Sequence, residues 1–390
     1  MQATRTTRWR LPALCSAAGL AGLSISVAGP ILVDIAHSYG ISVALAGQLT
    51  TVASFSGMAG MLGLSPLVDR IGRREALLAT LLELAAAALL CSVAPSFTIL
   101  CIASGLLGLG GFGLVALVLA AVGDLYPAPQ LGRAMGWVVA GNVTLVVVGL
   151  PMLAALSAWG GWRLSFVAYA LLAALAAGAA YLALPAGLKA VQVHPGYLGA
   201  FAILTRNPAL LPLLLTVGFY HSAVYGFGTY LGALAIQRFA VGATVAAPVL
   251  SLRYLGTAVA GLLAGRALRT TDWRVTVGAA VLLGLSSLAA CLAYGGFWVF
   301  TFLALLQGIA IGVMDVALNS LLVSSEAAER GLVTALRSVM DSLGGVVGPA
   351  LGGLAIAYGG YPTAGWLFGA LALLAATSTA LGAVRSRKPA

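Results

Sequence analysis

Charged residues are scarce in this sequence. Asp, Glu, Lys and Arg make up 8% of the 390 residues, whereas hydrophobic residues make up 61%. A soluble domain has about a quarter charged and about half apolar residues. Apolar runs of the length that a bilayer requires, roughly 20 residues, follow one another from Leu11 to Val384. The shortage of charge therefore excludes a sizeable soluble domain and predicts a polytopic α-helical membrane protein.

Signatures of catalysis are absent from the sequence as well. It has no Gly-Lys-Ser/Thr phosphate-binding loop, no metal-ligand cluster and no nucleophilic triad. The four cysteines, Cys15, Cys91, Cys101 and Cys291, lie in apolar runs without the spacing of metal ligands. We therefore expect neither an enzyme nor a cofactor, and we exclude transport driven by ATP hydrolysis on this chain.

The basic residues are distributed unevenly along the chain, whose formal net charge is +10. With a cytoplasmic amino terminus, all but three of the 20 Lys and Arg fall on the inner side; Arg163 and Arg238 fall outside, and Arg253 lies in the membrane. Because positively charged loops resist translocation, this distribution predicts that both termini are cytoplasmic. The charge is thus a feature of topology and does not indicate binding to nucleic acid.

The apolar runs predict an all-α protein with twelve transmembrane helices. We place them at residues 11–33, 43–66, 76–94, 97–122, 134–158, 164–184, 210–232, 246–265, 275–294, 297–322, 333–357 and 363–384. The stretch at 185–208 runs from Pro185 to Pro208 and contains Lys189, His194, Pro195 and Arg206. It predicts a cytoplasmic linker between two six-helix halves, 1–184 and 209–390.

The two halves resemble each other at a nearly constant offset, as in transporters that contain an internal repeat. Gly149, Pro151 and the corner Gly160-Gly161-Trp162 recur as Gly348, Pro349 and Gly359-Gly360-Tyr361. Arg70 and Arg73 recur as Arg266 and Arg269. An even number of helices in each half makes the repeats parallel, with an expected cavity between them near the middle of the membrane.

A short charged turn, Asp69-Arg70-Ile71-Gly72-Arg73-Arg74, follows the second predicted helix. Gly72 permits the tight turn, and the charged groups must remain hydrated. The turn resembles the loop signature of the major facilitator superfamily, and the resemblance covers essentially the whole chain: twelve helices, two halves and a central linker.

The resemblance implies a conformational latch around this turn. Asp69 is expected to interact with the start of the eleventh predicted helix, and Arg73 with Asp124 at the end of the fourth. Breaking such contacts would help to convert one access state into the other. The latch set is Asp69, Arg70, Gly72, Arg73, Arg74 and Asp124. Alternatively, these charges only fix the topology.

Two helices carry glycine and proline in a pattern similar to the antiporter motif of this family. Gly141, Gly149 and Pro151 lie in the fifth predicted helix, and Gly344, Gly348 and Pro349 lie in the eleventh. Small residues permit close helix packing, which suits either a moving transporter or ordinary membrane packing.

The chain departs from the family at two positions. Ser65 stands where a Gly usually precedes the Asp of the loop, and Ser104 stands where many exporters have an Arg. A proton mechanism that relies on that Arg is therefore not expected here.

Five charged residues fall inside predicted helices: Glu83, Arg253, Asp315, Arg337 and Asp341. Each would cost about 2.5 to 3.5 kcal/mol at the bilayer centre unless it has a partner or water. A carboxylate that alternates between water and a dry site changes its proton affinity, so Asp341, and then Asp315, are our proton-coupling candidates. Alternatively, Arg337 lies four residues from Asp341 and neutralises it as a gate pair.

Polar and aromatic residues inside the helices are the candidates for the substrate cavity. Asn319 shares a helix face with Asp315, and Arg253 either binds an anionic substrate or pairs with an acid on another helix. The remaining candidates are Tyr220, His221 and Tyr225 in the seventh helix and Trp137 and Asn142 in the fifth, for all of which packing is the alternative.

These observations predict a secondary transporter in a bacterial-type inner membrane that exports small amphipathic organic molecules in exchange for protons, by alternating access. We expect its partners to be a small-molecule substrate and lipid, with the monomer as the functional unit. The first alternative is an uptake symporter or uniporter for an organic acid, and the second is a non-transporting membrane sensor or assembly factor.

Overall fold

The structure is a computed structural model that describes residues 2–63, 71–185, 210–267, 272–292, 295–325 and 330–385. Every regular element in these ranges is an α-helix. By their internal contacts the residues form two compact units, Met1–Ile41 with Val52–Val193 and Ser42–Thr51 with His194–Ala390. The predicted linker at 185–208 lies almost entirely outside the described residues.

The described residues of the first part of the chain contain eight helices. They are α1 (Gln2–Ser26), α2 (Ala28–Tyr39), α3 (Val43–Ala46), α4 (Gln48–Gly63), α5 (Arg73–Val93), α6 (Phe97–Leu125), α7 (Ala128–Gly160) and α8 (Trp162–Ala183). In the first unit, α1 packs on α6, α7 and α8, and α5 packs on α6 and α8. The buried faces consist largely of Ala and Leu, and Tyr169 of α8 donates a hydrogen bond to the carbonyl of Leu20.

Five further helices lie in the part of the second unit that the structure describes. They are α9 (Leu210–Phe239), α10 (Ala243–Ala267), α11 (Trp273–Leu292), α12 (Phe297–Ser325) and α13 (Arg330–Arg385). The main packing pairs are α9 with α13, α10 with α12, and α11 with both α12 and α13. The short α3 joins this unit, where the hydroxyl of Tyr230 lies 3.3 Å from the carbonyl of Ala44 and 3.0 Å from that of Pro349.

The helices agree with twelve predicted spans. Within the described residues, nine helices are long and apolar enough to cross a membrane, and the pair α1 and α2, bent by 41° at a break, brings the number to ten. α13 contains two spans, because Gly360 has a non-helical φ of 72°. The described part of α4 stops at Gly63, short of the end of the second predicted span.

Several predicted helix boundaries were wrong. The first helix begins at Gln2 instead of 11 and breaks into α1 and α2, which reaches Tyr39. The second predicted helix is divided at Gly47, where an added Cβ would collide with the ring of Tyr230. α7 begins at Ala128 and α12 extends to Ser325, since helices continue beyond the apolar run into the polar interface.

The backbone confirms the internal repeat. Gly161 and Gly360, the second glycines of the two recurring corners, have φ values of 81° and 72°. Gly40 and Ala240, which follow α2 and α9 at nearly the same offset, have φ values of 62° and 51°. Only glycine adopts this region without steric cost, so Ala240 is held there by its surroundings. α6 and α12 each contain 29 residues.

The glycine motifs lie at close helix contacts in both units. In the first unit, a Cβ added at Gly141 would lie 2.6 Å from Cβ of Cys15, and one added at Gly149 would lie 3.0 Å from Leu23, both on α1. In the second, a Cβ at Gly348 would overlap the carbonyl oxygen of Ser222 on α9. Pro151 and Pro349 lie inside α7 and α13 beside these contacts.

Candidate functional site

Charged residues from three helices of the second unit meet around α9. His221 lies on α9, Asp315 on α12, and Arg337 and Asp341 on α13. α9 and α13 approach closely because Gly344 has no side chain, and a Cβ there would lie 2.6 Å from Cβ of His221. This close packing places His221 beside Asp341, which is one helical turn before Gly344.

His221 and Asp341 lie within ion-pair distance of each other, and Oδ1 of Asp341 has no hydrogen-bond partner among the described residues. Nε2 of His221 lies 3.2 Å from Oδ1 of Asp341, and Nδ1 lies 3.0 Å from the carbonyl oxygen of Val217. A carbonyl oxygen can only accept a hydrogen bond, so Nδ1 carries a hydrogen. A neutral imidazole would then present the lone pair of Nε2 to the carboxylate, and two acceptors at this distance repel each other. One additional proton, on either Nε2 or the carboxyl group, makes the contact favourable.

Arg337 pairs with Asp315 and not with Asp341 as the gate-pair alternative predicted. Its Nη2 lies 3.6 Å from Oδ1 of Asp315. On one helix, a basic residue four positions before an acid is the less favourable orientation of an ion pair. Asp341 instead lies against His221 on α9. The two proton-coupling candidates, Asp341 and Asp315, therefore have different partners. Asp315 remains within electrostatic range of His221, Arg337 and Asp341.

The aromatic candidates on α9 have different environments. Tyr220 is fully buried, and its hydroxyl donates to the carbonyl of Ile311 at 3.2 Å, so it belongs to the packed core instead of a substrate cavity. Tyr225 is half-buried and stacks on the imidazole of His221, with ring centroids 5.7 Å apart. His221 is thus held between two tyrosine rings and the backbone of Val217.

Arg253 does not pair with an acid, in contrast to one of the two alternatives. Within the described part of the chain, no carboxylate lies within 4 Å of its guanidinium group. Its Nε donates to Oε1 of Gln307 at 2.5 Å, and its Nη2 donates to the carbonyl of Val224 at 3.0 Å. The two acids of this cluster are already engaged by Arg337 and His221, which explains the absence of an acidic partner.

Gln307 is a buried partner of Arg253 that was not among the residues predicted from the sequence. It is fully buried on α12, and its Nε2 donates to Oγ of Ser287 at 2.7 Å while Oε1 accepts from Arg253. An amide side chain within the apolar run at the start of this helix was the available signal, because buried amides require partners.

The remaining cavity candidates are not brought into this cluster by any contact. Asn319 is half-buried on α12, one turn after Asp315. Asn142 lies in the first unit, where its amide donates to the carbonyl of Ala18 on α1 at 2.6 Å. Trp137 is exposed, and its carbonyl accepts from the thiol of Cys15. Asn142 therefore has a packing role.

Glu83 is the last of the five charged residues that lie inside predicted helices. Glu83 lies in the first unit against Gly110, and neither carboxylate oxygen has a hydrogen-bond partner among the described residues. Nothing in the structure assigns it a role.

Among the described residues, no group of three or more His, Cys, Asp or Glu side chains could hold a metal ion.

Part of the predicted latch is present in the first unit. Nε of Arg73 lies 3.4 Å from Oδ2 of Asp124, the pair that the resemblance implied, and the Arg73 side chain is 10% exposed. Gly72 precedes α5 with a φ of 91°, as the tight turn requires. Arg74 donates to the carbonyl of Tyr181 at 2.7 Å and lies over its ring. Asp69 and Arg70 lie outside the described residues.

Comparison with known proteins identifies the family of this arrangement. The sequence model of the Major Facilitator Superfamily matches residues 14–284 and 238–390. A chloramphenicol resistance protein of Streptomyces lividans is 28% identical over 277 residues, which are 69% of each chain. The purine ribonucleoside efflux pump NepI of Salmonella enteritidis is 26% identical over 349 residues, 89% of this chain and 86% of the pump.

Solved structures share the fold at lower sequence identity. A bacterial homologue of the human lysosomal transporter Spinster, solved in an inward-facing and occupied conformation, matches with a TM-score of 0.75 at 17% identity. The alignment covers 97% of this chain and 96% of that one. The unoccupied form gives a TM-score of 0.77 at 18% identity, with 98% and 97% coverage.

Proposed function

Since the chain belongs to the major facilitator superfamily, we propose that it is a proton-coupled exporter of small amphipathic organic molecules that works by alternating access. The family consists of membrane transporters and not of enzymes. The chain is accordingly a multi-pass integral membrane transporter with efflux pumps among its relatives. In this proposal it resides in a bacterial cytoplasmic membrane with both termini inside, works as a monomer and uses the proton as its coupling ion.

The contact between His221 and Asp341 is the observation that carries the proposal. We infer that this contact, with Nε2 of His221 3.2 Å from Oδ1 of Asp341, takes up one proton. Loss of that proton leaves a carboxylate facing a lone pair in a largely buried environment, where the side chain of His221 is 8% exposed and that of Asp341 is 29% exposed. The deprotonated pair must therefore separate or admit another hydrogen-bond donor.

A substrate can supply that donor. An amphipathic molecule with a hydroxyl, amide or ammonium group would satisfy the carboxylate of Asp341 in place of the proton. Proton and substrate then compete for one carboxylate, which is the physical requirement for exchange. In this scheme Asp315 is held by Arg337 and Asp341 is the exchanging group, with Tyr225 and Asn319 as further candidates for substrate contact.

The direction of transport is inferred from relatives. One is named for resistance to chloramphenicol and another for efflux of purine ribonucleosides, at 28% and 26% identity. Export is therefore the direction that we assign to this chain, with a substrate class broader than either name.

The test is flux in reconstituted vesicles of known orientation, with a pH-sensitive dye and a panel of drugs, nucleosides, sugars and organic acids. Export in exchange for protons predicts that substrate and protons move in opposite directions. Movement of substrate and protons in the same direction would support the uptake symporter instead of the exporter. Substrate movement without protons would leave a facilitator and remove the role of Asp341, and no flux with any compound would favour the sensor.

A further inference from the structure

Arg253 is a buried cation without a compensating acid. It lies near the middle of α10 and is 5% exposed. Guanidinium groups remain charged in proteins, so this charge cannot be removed by loss of a proton as that of a buried Lys can. Charged residues at this depth normally pair with an opposite charge or face water. Within 4 Å of Arg253, the described residues supply no carboxylate.

The neighbours of Arg253 orient the guanidinium group without neutralising it. Gln307 accepts from Nε and is itself fixed by Ser287, while the backbone carbonyl of Val224 accepts from Nη2. Helices α9, α10, α11 and α12 all contribute to this arrangement. The titratable side chains nearby are the tyrosines Tyr220, Tyr225 and Tyr254.

The third nitrogen, Nη1, has no partner in this network and lies next to Gly228 of α9. A Cβ at Gly228 would lie 3.1 Å from Nη1, so the guanidinium group packs directly on the backbone of α9 at this glycine. A guanidinium group that is held in one orientation, is permanently charged and has one nitrogen without a hydrogen bond in this network is suited to an oxyanion.

We propose that Nη1 of Arg253 binds an anionic group, specifically the carboxylate or a comparable oxyanion of the transported molecule. The inference rests on the proposed function, in that it gives the amphipathic substrate a negatively charged end. Chloride and other inorganic anions share the relevant chemistry, and the experiment separates them from an organic anion.

The experiment measures thermal unfolding of the purified full-length protein in nanodiscs with benzoate, with its neutral isostere benzamide, and with chloride against an inert anion. We expect benzoate to raise the unfolding temperature in a saturable manner and benzamide to have no effect. Gln307→Glu places a carboxylate beside Nε, so it should weaken benzoate binding about tenfold or more while retaining the fold. Gly228→Ala should weaken it through steric contact with Nη1.

The matched control is Gln130→Glu, the same chemical change at an exposed position of α7, which should leave benzoate binding unchanged. Equal binding of benzoate by Gln307→Glu and the unaltered protein would overturn the proposal, as would equal stabilisation by benzamide. Stabilisation by chloride equal to that by benzoate would assign the site to inorganic anions and overturn its role in substrate binding.

Failure of this inference is distinguishable from failure of the proposed function. Proton exchange in vesicles is measured separately, with a neutral substrate from the panel. If exchange occurs but benzoate does not bind, only the assignment to Arg253 fails. If benzoate binds but no substrate moves against protons, the anion site is supported and the exchange mechanism fails.

Discussion

Gly344 on α13 packs against His221 on α9 so closely that a Cβ at this glycine would lie 2.6 Å from Cβ of the histidine. The contact is one helical turn from Asp341, whose carboxylate lies 3.2 Å from the imidazole. The glycine motif of α13 and the contact between His221 and Asp341 are therefore parts of one packing arrangement, and a change in helix spacing there also changes the distance between the two side chains.

The first prediction follows from this packing. Gly344→Ala should lower the free energy of unfolding by about 1 to 3 kcal/mol, because an added methyl group in a filled contact forces the helices apart. Thermal or denaturant unfolding measures the effect. Gly136→Ala on α7 is the control, since no atom lies within 4 Å of a Cβ there. Equal stability of the two variants would contradict the close contact.

The second prediction concerns the proton. Asp341→Asn and His221→Gln should each abolish substrate-induced proton movement while the protein remains folded, because either change removes one half of the site. The measurement is the response of a pH-sensitive dye in vesicles. Asp34→Asn is the control, since Asp34 accepts a hydrogen bond from Ser157 near the end of α2. Intact proton coupling in Asp341→Asn would refute the assignment.

The third prediction concerns the latch. Asp124→Asn should slow turnover several-fold and leave substrate affinity nearly unchanged, because Arg73 loses its carboxylate partner at the end of α6. Exchanging the two residues, Arg73→Asp with Asp124→Arg, should restore part of the rate. Initial rates and equilibrium binding are measured together. A normal rate in Asp124→Asn would show that the pair fixes only topology.

The same argument applies to the loop residue that the structure does not describe. Asp69→Asn should also slow turnover without loss of substrate binding. Arg74→Gln provides a comparison within the turn, since Arg74 donates to the carbonyl of Tyr181 of α8 and lies over its ring.

The fourth prediction concerns the end of α11. Arg238 of α9 donates to the carbonyls of Ala290 and Cys291 there, the former at 2.6 Å. A cation at a helix C-terminus interacts favourably with the unpaired carbonyls. Arg238→Gln should therefore reduce stability by about 1 kcal/mol. Arg163→Gln, which removes the equivalent donor to Ala94 after α5, should have a similar effect, and unchanged unfolding temperatures in both would contradict the prediction.

Much of the fold was predictable because the bilayer restricts which backbone structures can span it. Long apolar runs require helices, and their number follows from length alone. The repeat was visible as the corners around Gly161 and Gly360, since only glycine adopts a positive φ readily. The helix ends were predicted poorly, because polar interface residues such as those at the start of α1 and α7 are compatible with either helix or loop.

The site was predictable in its members but not in its pairs. The spacing of four residues predicted an ion pair between Arg337 and Asp341. In the structure Arg337 pairs with Asp315 on another helix. Position along one helix contains no information about which face of a neighbouring helix lies opposite. Gln307 was missed for the same reason, because its importance depends on Arg253, which is 54 residues away in sequence.

By itself the sequence determined that the protein lies in a membrane, that it is all-α, that it contains an internal repeat and which charged residues lie inside the spans. These follow from local composition and from the cost of desolvation. Only the tertiary structure decided that His221 faces Asp341, that Asp315 lies against Arg337 and that no acid of the described residues lies within 4 Å of Arg253. Those relationships depend on how closely helices approach, and that distance is set by glycines whose partners lie on other helices.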